Sequence, residues 1–362
     1  MGIYVVSANA AYADTKYPHR EGQAMAFRSR SKESLLAFVI LLAAASSVQA
    51  DQKASARYDK ATVTVGVAAE FLMLPETNFM VVRDNAFTTI LSRNTDHNGS
   101  FTAPRGTLRI DEIQGKIGTF DVTYGYSGFF SHSAVDTNKN LLDGVNGQTR
   151  VGFSSIVPST NGNVGLALGH DFEVEAHRSV YHFGVGLDAK FQHQVLGFFN
   201  PILGIGIGGI NQNLTLRADE PQANNVFAFY RESLDTFFAG PIIGLSLAPK
   251  TIGSGFLLSG KFSVALMAAY TRYGGQLQAS GILENFQNLR LLSVDFSAVP
   301  KLALSLSRKF GRAFVSLNST AEYYSFVPQM RYNDGFVQRE TRIGSDHAYG
   351  FSTGLRVKIP LN

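Results

Sequence analysis

The chain has 362 residues, a formal net charge of +4, no cysteine and no tryptophan. Without cysteine a disulfide framework is excluded, so stability must come from burial or from closing a hydrogen-bonded network. No lysine- or arginine-rich block occurs, which argues against a nucleic-acid partner.

The chain opens on an apolar run from Leu35 to Ala45. A membrane-spanning helix needs about 20 apolar residues, so this run is too short. Arg28, Arg30 and Lys32 precede it, and Val48-Gln49-Ala50 follows with small residues where a signal peptidase reads. The expectation is a cleaved secretory leader over 25–50, an upstream extension or mis-placed start over 1–24, and a mature chain over 51–362. Residues 1–50 carry five Lys/Arg and three Asp/Glu, so the mature chain keeps 27 basic against 25 acidic residues. Its charge is close to neutral.

After Ala50 no segment is long and apolar enough for a membrane helix. Alternation recurs instead. Residues 61–73 begin it with Val63, Val65, Val67 and Phe71. "TLRIDEIQGKIGTFDVTYGY" is one long strand or a small hairpin. Leu166, Leu168, Phe172, Val174 and Ala176 oppose Asp171, Glu173 and Glu175. Tyr181, Phe183, Val185 and Leu187 oppose His182, Gly184, Gly186, Asp188 and Lys190. His177-Arg178-Ser179 reads as the tight turn of a hairpin between these two stretches. Phe256, Leu258, Phe262 and Val264 oppose Ser259, Lys261 and Ser263; Val315, Leu317, Ala321 and Tyr323 oppose Ser316, Asn318, Thr320 and Glu322. At the C-terminus Phe351, Leu355, Val357 and Ile359 oppose Ser352, Gly354, Arg356 and Lys358.

A period of two puts each set on one face of a strand. Three features favour a membrane barrel over a soluble sandwich. The strands exceed the five or six residues usual in soluble sheets. The faces opposite the apolar ones mix Gly, Ser, Ala and Thr with isolated charges. Connectors are unequal: "APKTIGS" and "RKFGR" are short, while 74–106, 131–148, 217–232 and 329–346 read as long loops, as in outer-membrane barrels. Lipid offers no partner to backbone N–H and C=O groups, so such a sheet must close on itself. The expected fold is all-β: a transmembrane antiparallel up-and-down barrel of twelve strands, range ten to fourteen, in the bacterial outer membrane. Phe129, Phe130, Phe198, Phe199, Phe237, Phe238, Tyr323 and Tyr324 are candidates for interfacial girdles.

Other motifs carry less. "GIGIGG" contains a formal GxGxxG at Gly204, Gly206 and Gly209, but a strand-like "INQNLTLRAD" follows where a dinucleotide site needs a helix. Small residues on an inward face fit better. Asp136, Asn138 and Asn140 have calcium-loop spacing, yet Leu141 and Gly147 stand where glycine and glutamate are required. No metal or cofactor site is expected. There is no HExxH, and the expectation is a protein that is not an enzyme. The candidate functional residues are the ionisable groups of the inward face, as pore-lining charges: Asp171, Glu173, Glu175, His182, Asp188, Lys190, Lys261, Glu322, Arg356 and Lys358. Rings of such charges set pore selectivity, or pair and close the lumen.

"FFAGPIIGLSL" (237–247), "GFLLSGKFSVALMAAY" (255–270), "VPKLALSLSRKFGRAFVSLNSTAEYYSF" (299–326) and the closing "YGFSTGLRVKIPL" resemble bacterial outer-membrane barrels of pore-forming type, similar to Legionella-type major outer-membrane proteins. The resemblance covers about the last 130 residues. The chain departs from it in lacking tryptophan and in ending Leu361-Asn362 instead of on an aromatic residue. It implies a passive pore for small solutes, inserted into outer-membrane lipid by the barrel assembly machinery, or else a structural or adhesive barrel with a closed lumen and partner-binding loops.

Overall fold

The computed structural model describes residues 61–75, 80–83, 89–92, 99–141, 150–154, 163–168, 172–195, 197–220, 225–253, 255–279, 285–331 and 341–361. The expected extension, the leader and Asp171 lie outside the described residues.

Every element among the described residues is a strand. In chain order they are β1 (Thr62–Met73), β2 (Met80–Arg83), β3 (Thr89–Ser92), β4 (Ser100–Ile117), β5 (Phe120–Leu141), β6 (Arg150–Ser154), β7 (Asn163–Leu168), β8 (Phe172–Phe191), β9 (Phe199–Glu220), β10 (Asn225–Ile252), β11 (Phe256–Ala279), β12 (Asn285–Phe310), β13 (Ala313–Arg331) and β14 (Arg342–Pro360). Ten close a ring in the order β1-β14-β13-β12-β11-β10-β9-β8-β5-β4, each antiparallel to its neighbours. The ring therefore sits at the lower edge of the expected range, two strands short of twelve. The difference is β2, β3, β6 and β7, which pair with one another in a separate four-stranded sheet. All four are short, and none enters the barrel.

Thr62 at the start of β1 pairs with Pro360 at the end of β14, so both ends of the barrel chain share one rim. The connections 118–119, 192–198, 253–255 and 311–312 turn at that rim, hereafter the turn end. Gly118, Gly253, Gly255 and Gly311 hold positive φ there, where a Cβ would be strained. The opposite rim, the loop end, carries the longest connections, those between β1 and β4 and between β5 and β8. "TLRIDEIQGKIGTFDVTYGY" is a hairpin of β4 and β5 turning at Gly118-Thr119.

Two expectations are corrected. The 166–192 hairpin does not form: β8 runs unbroken through His177-Arg178-Ser179, paired with β5 and β9 on either side. Likewise 131–141, 217–220 and 225–232, expected in long loops, belong to β5, β9 and β10.

The reason is a change of phase inside the strands. Near the turn end the apolar residues point outward. On β9 these are Leu203, Ile205 and Ile207; on β12 they are Phe296, Leu302 and Leu304; on β1 Val67 is 71% exposed. Near the loop end the apolar residues point inward on the same strands: Leu214 and Leu216 on β9, Tyr230 and Leu234 on β10, Tyr273 and Leu277 on β11, Leu289 and Leu291 on β12, all buried. Arg217, Arg272, Gln276, Asn288 and Arg290 are exposed there instead. An apolar band on the outside is the requirement of lipid, and an apolar interior that of water. Strand length agrees. A tilted strand crosses a membrane in about 9–11 residues, whereas β10 has 28 and β12 has 26. The remainder carries the barrel beyond the apolar band at its loop end.

The girdle candidates divide. Phe237 points outward beside Phe183 and Tyr323 outward beside Tyr349, whereas Phe238 and Tyr324 are buried in the interior core. At the turn end Phe198 packs on Phe199, Phe120 on Phe191, and Arg308 lies over Phe256 and Phe310.

Candidate functional site

The inward face near the middle of the barrel carries charge, and closure of the ring brings distant segments into one cluster. Glu70 of β1 accepts hydrogen bonds from Arg105 of β4 at 2.6 Å, from Ser131 of β5, and lies 3.0 Å from His182 Nδ1 of β8. The same Arg105 nitrogen donates to Glu322 of β13 at 3.0 Å, and Lys301 of β12 reaches the other Glu322 oxygen at 3.2 Å. His182 Nε2 meets the Tyr324 hydroxyl at 2.9 Å. The Arg105 guanidinium lies over the Phe129 ring, 3.6 Å from its centroid. Six of the ten strands thus meet at one level.

The backbone makes room for this. A Cβ on Gly350 would come within 2.8 Å of the Glu322 side chain, and one on Gly184 within 2.5 Å of the Phe129 ring. Arg105, Glu70 and Glu322 are each at most 5% exposed in their side chains. Charges taken that far from water persist only when each finds partners. Here two carboxylates face two cations, and both oxygens of each carboxylate are engaged.

Glu70, His182 and Glu322 also bring three metal-type donor atoms within 4.8 Å of one another. Arg105 stands between the two carboxylates, so its guanidinium supplies the positive charge that a metal would bring. A metal fits this donor set only if Arg105 leaves it.

A second network lies towards the turn end. Asp188 of β8 accepts from Lys261 of β11 at 2.6 Å and from Arg109 of β4 at 3.3 Å; Arg109 also pairs with Asp111. Lys358 of β14 bonds Glu112 at 2.6 Å, in a β4 bulge where Glu112 takes φ +67°. Gly125 admits the network, since a Cβ there would meet Asp111, Arg109 and Asp188 within 3.0 Å.

Of the residues expected on the inward face, His182 and Glu322 belong to the first network and Asp188, Lys261 and Lys358 to the second. Arg356 and Lys190 are partly buried, and Arg356 has no ion-pair partner among the described residues. Glu175 is exposed on the outer face, and Glu173, two residues along the same strand, shares that face. They were expected inside because apolar Val174 and Ala176 oppose them in the sequence, but here Ala176 is the inward, buried one.

The sequence reading missed Glu70, Arg105, Ser131, Lys301, Tyr324, Arg109, Asp111 and Glu112. Lys301 was within reach, since it alternates with outward Leu302 and Leu304. Arg105 was not, because 74–106 read as a loop.

No family model matches the chain, and no curated protein matches it in sequence. Solved structures of similar architecture include the outer-membrane protease OmpT from Escherichia coli, at 9% identity and a TM-score of 0.39, covering 84% of this chain and 98% of that one. The transport unit of the autotransporter AIDA-I from Escherichia coli is 7% identical, with a TM-score of 0.28 and coverage of 90% and 97%. A Pseudomonas aeruginosa FadL homologue is 7% identical, with a TM-score of 0.26 and coverage of 84% and 91%. The protease corrects one expectation. Barrels of this kind include an enzyme, so the exclusion of enzymatic activity does not follow from the fold. At these values the likenesses carry nothing about the chemistry of this chain. What the chain itself shows is a closed antiparallel barrel of outer-membrane type.

Proposed function

We propose that this outer-membrane barrel has a closed lumen and acts through its loop end, where the barrel stands clear of the bilayer. The carrying observation is that the interior is packed at two successive levels. The Glu70–Arg105–Glu322–Lys301 cluster spans the middle, and above it Tyr230, Tyr273 and Leu277 are each fully buried. Paired charges and aromatic side chains at such burial leave ions no hydrated path, in contrast to porin lumens, which hold water.

In this reading the inward charges rigidify the wall instead of selecting solutes. The apolar band contacts outer-membrane lipid, the turn end faces the periplasm, and partners bind at the loop end. The barrel assembly machinery inserts the chain after removal of the 25–50 leader. Kinship with Legionella-type major outer-membrane proteins extends, in this reading, to hairpin architecture and not to a pore.

Planar bilayers test it. The purified barrel, identified by heat-modifiable migration on mild SDS gels, should insert without conductance. Stepwise conductance from the wild type would support the passive diffusion pore and end the closed-lumen reading.

A further inference from the structure

Between the two charge networks lies a cavity of about 150 Å³. Its origin is in the sequence. On the inward face of β8 and β9, Gly184 faces Gly208 and Gly186 faces Gly206 across the ladder. Four neighbouring inward positions thus carry no side chain, and the Phe129 ring lies close over Gly184 and Ile242 and Met267 close over Gly206. These are the glycines of "HFGVGLD" and "GIGIGG", the second of which mimics a dinucleotide motif. The opposite wall has side chains of ordinary size: Phe238 and Ile242 of β10, Met267 of β11 and Val299 of β12.

Three observations define what the cavity would hold. Its walls are mostly apolar, and an apolar cavity of about 150 Å³ accommodates a molecule of benzene's size. Ser263 of β11 lines it and is 5% exposed, yet its hydroxyl has no hydrogen-bond partner among the described residues. That hydroxyl opens onto the cavity, where it is free to donate to an oxygen of a guest. Lys301 also lines the cavity and has three N–H donors, one of them directed at Glu322. Charge at this level is already balanced, Glu70 and Glu322 against Arg105 and Lys301. A charged guest would bring an unpaired ion into that balanced set.

We infer that this cavity binds a small uncharged molecule, apolar over a ring-sized body and bearing one acceptor oxygen that takes the Ser263 hydroxyl. The glycines of β8 and β9 leave the room, and Phe238, Ile242, Met267 and Val299 line the rest. The first network borders the cavity through His182, Lys301 and Glu322, and the second lies beyond it towards the turn end. Binding does not depend on whether the lumen conducts. A barrel that conducts and still binds would end the closed-lumen reading and leave this one standing.

The test uses full-length protein purified from membranes into detergent, with 4-fluorophenol and fluorobenzene as probes followed by ¹⁹F NMR. The wild type should give a bound resonance distinct from probe in free micelles, with 4-fluorophenol favoured. Gly206→Leu should abolish it. The Cβ position at Gly206 is 3.1 Å from Ile242 Cδ1 and from Met267 Cε, both ends of flexible side chains, so leucine fills the space without meeting backbone. Ala265→Leu enters the same cavity from β11 and guards against a folding defect in the first variant; heat-modifiable migration reports folding of both. Ser263→Ala should leave fluorobenzene binding intact and lower the preference for 4-fluorophenol about fivefold, the worth of one neutral hydrogen bond. No protein-dependent resonance, or one that survives both leucine variants in folded protein, would overturn the site. An unchanged preference in Ser263→Ala would overturn the acceptor assignment.

Discussion

The two ends of this barrel solve opposite problems with the same strands. Near the turn end Ile205, Val67 and Leu304 face outward and Asp188, Lys261 and Glu322 face inward. Near the loop end Leu277, Tyr273 and Leu289 face inward, and Arg272 and Gln276 face outward. The pleat does not change between them; only the sequence phase does. One strand can therefore be a membrane strand for half its length and a strand of a water-exposed barrel for the rest. The interiors differ accordingly, held by ion pairs below and by apolar packing above.

The sharpest way to break that contrast is to remove an ion where the lower interior depends on it. Arg105→Met leaves Glu70 and Glu322 facing each other at close range without their shared cation. Uncovering a buried charge in this way costs about 3–5 kcal/mol. Urea unfolding in lipid vesicles should show that loss. The double change Glu70→Gln, Arg105→Met should recover most of it, because one charge and one countercharge leave together and Glu322 keeps Lys301. If the single and double variants lose equally, the cluster is not held by charge.

The upper interior should respond to volume instead. Leu277→Ala, at a fully buried position, removes apolar contacts and leaves a cavity, with an expected loss of about 2–5 kcal/mol. Leu277→Met at the same position should lose less than about 1.5 kcal/mol. Charge reversal on the nearby outer face, Arg272→Glu, should scarcely register, since that arginine is 66% exposed and surface ion pairs contribute about 0–1 kcal/mol.

How far the sequence disclosed this arrangement follows from the same contrast. Lys261 inward and Phe262 outward, or Arg356 inward and Leu355 outward, follow from alternation once lipid is named as the outer solvent. That rule holds for the half of each strand that touches lipid. Where a strand leaves the apolar band the rule inverts, and a reader who keeps the phase misplaces Glu173 and Glu175. The His177-Arg178-Ser179 stretch looked like a turn for this reason. Apolar residues occupy even positions before it and odd positions after it, and a hairpin is the simplest device that resets a phase. The structure resets the phase without a turn. Arg178 is buried, donating to Gln212 and lying over Phe101, so the strand crosses the boundary on an inward cation. The central cluster was out of reach for another reason. Arg105 and Glu322 are 217 residues apart, and only closure of the ring makes them neighbours. Alternation says which way a side chain points; it is silent on what it meets.

The boundary itself is open to measurement by moving one charge along the outside. Lysine at Ile205, a 59% exposed position within the apolar band, must enter hydrocarbon. It should cost about 2–4 kcal/mol near the midplane. Lysine at Gln276, outward on β11 beyond the band, stays in water and should cost close to nothing. Between them Phe237 and Tyr270, paired across β10 and β11 and both facing out, sit where the phase changes. Lysine there should be intermediate, since long cationic side chains reach the interface. A graded series in vesicle refolding would place the bilayer edge at the level of those two rings. Equal penalties at Ile205 and Gln276 would mean that lipid covers both halves of the strands, and the inversion of phase would then need another cause.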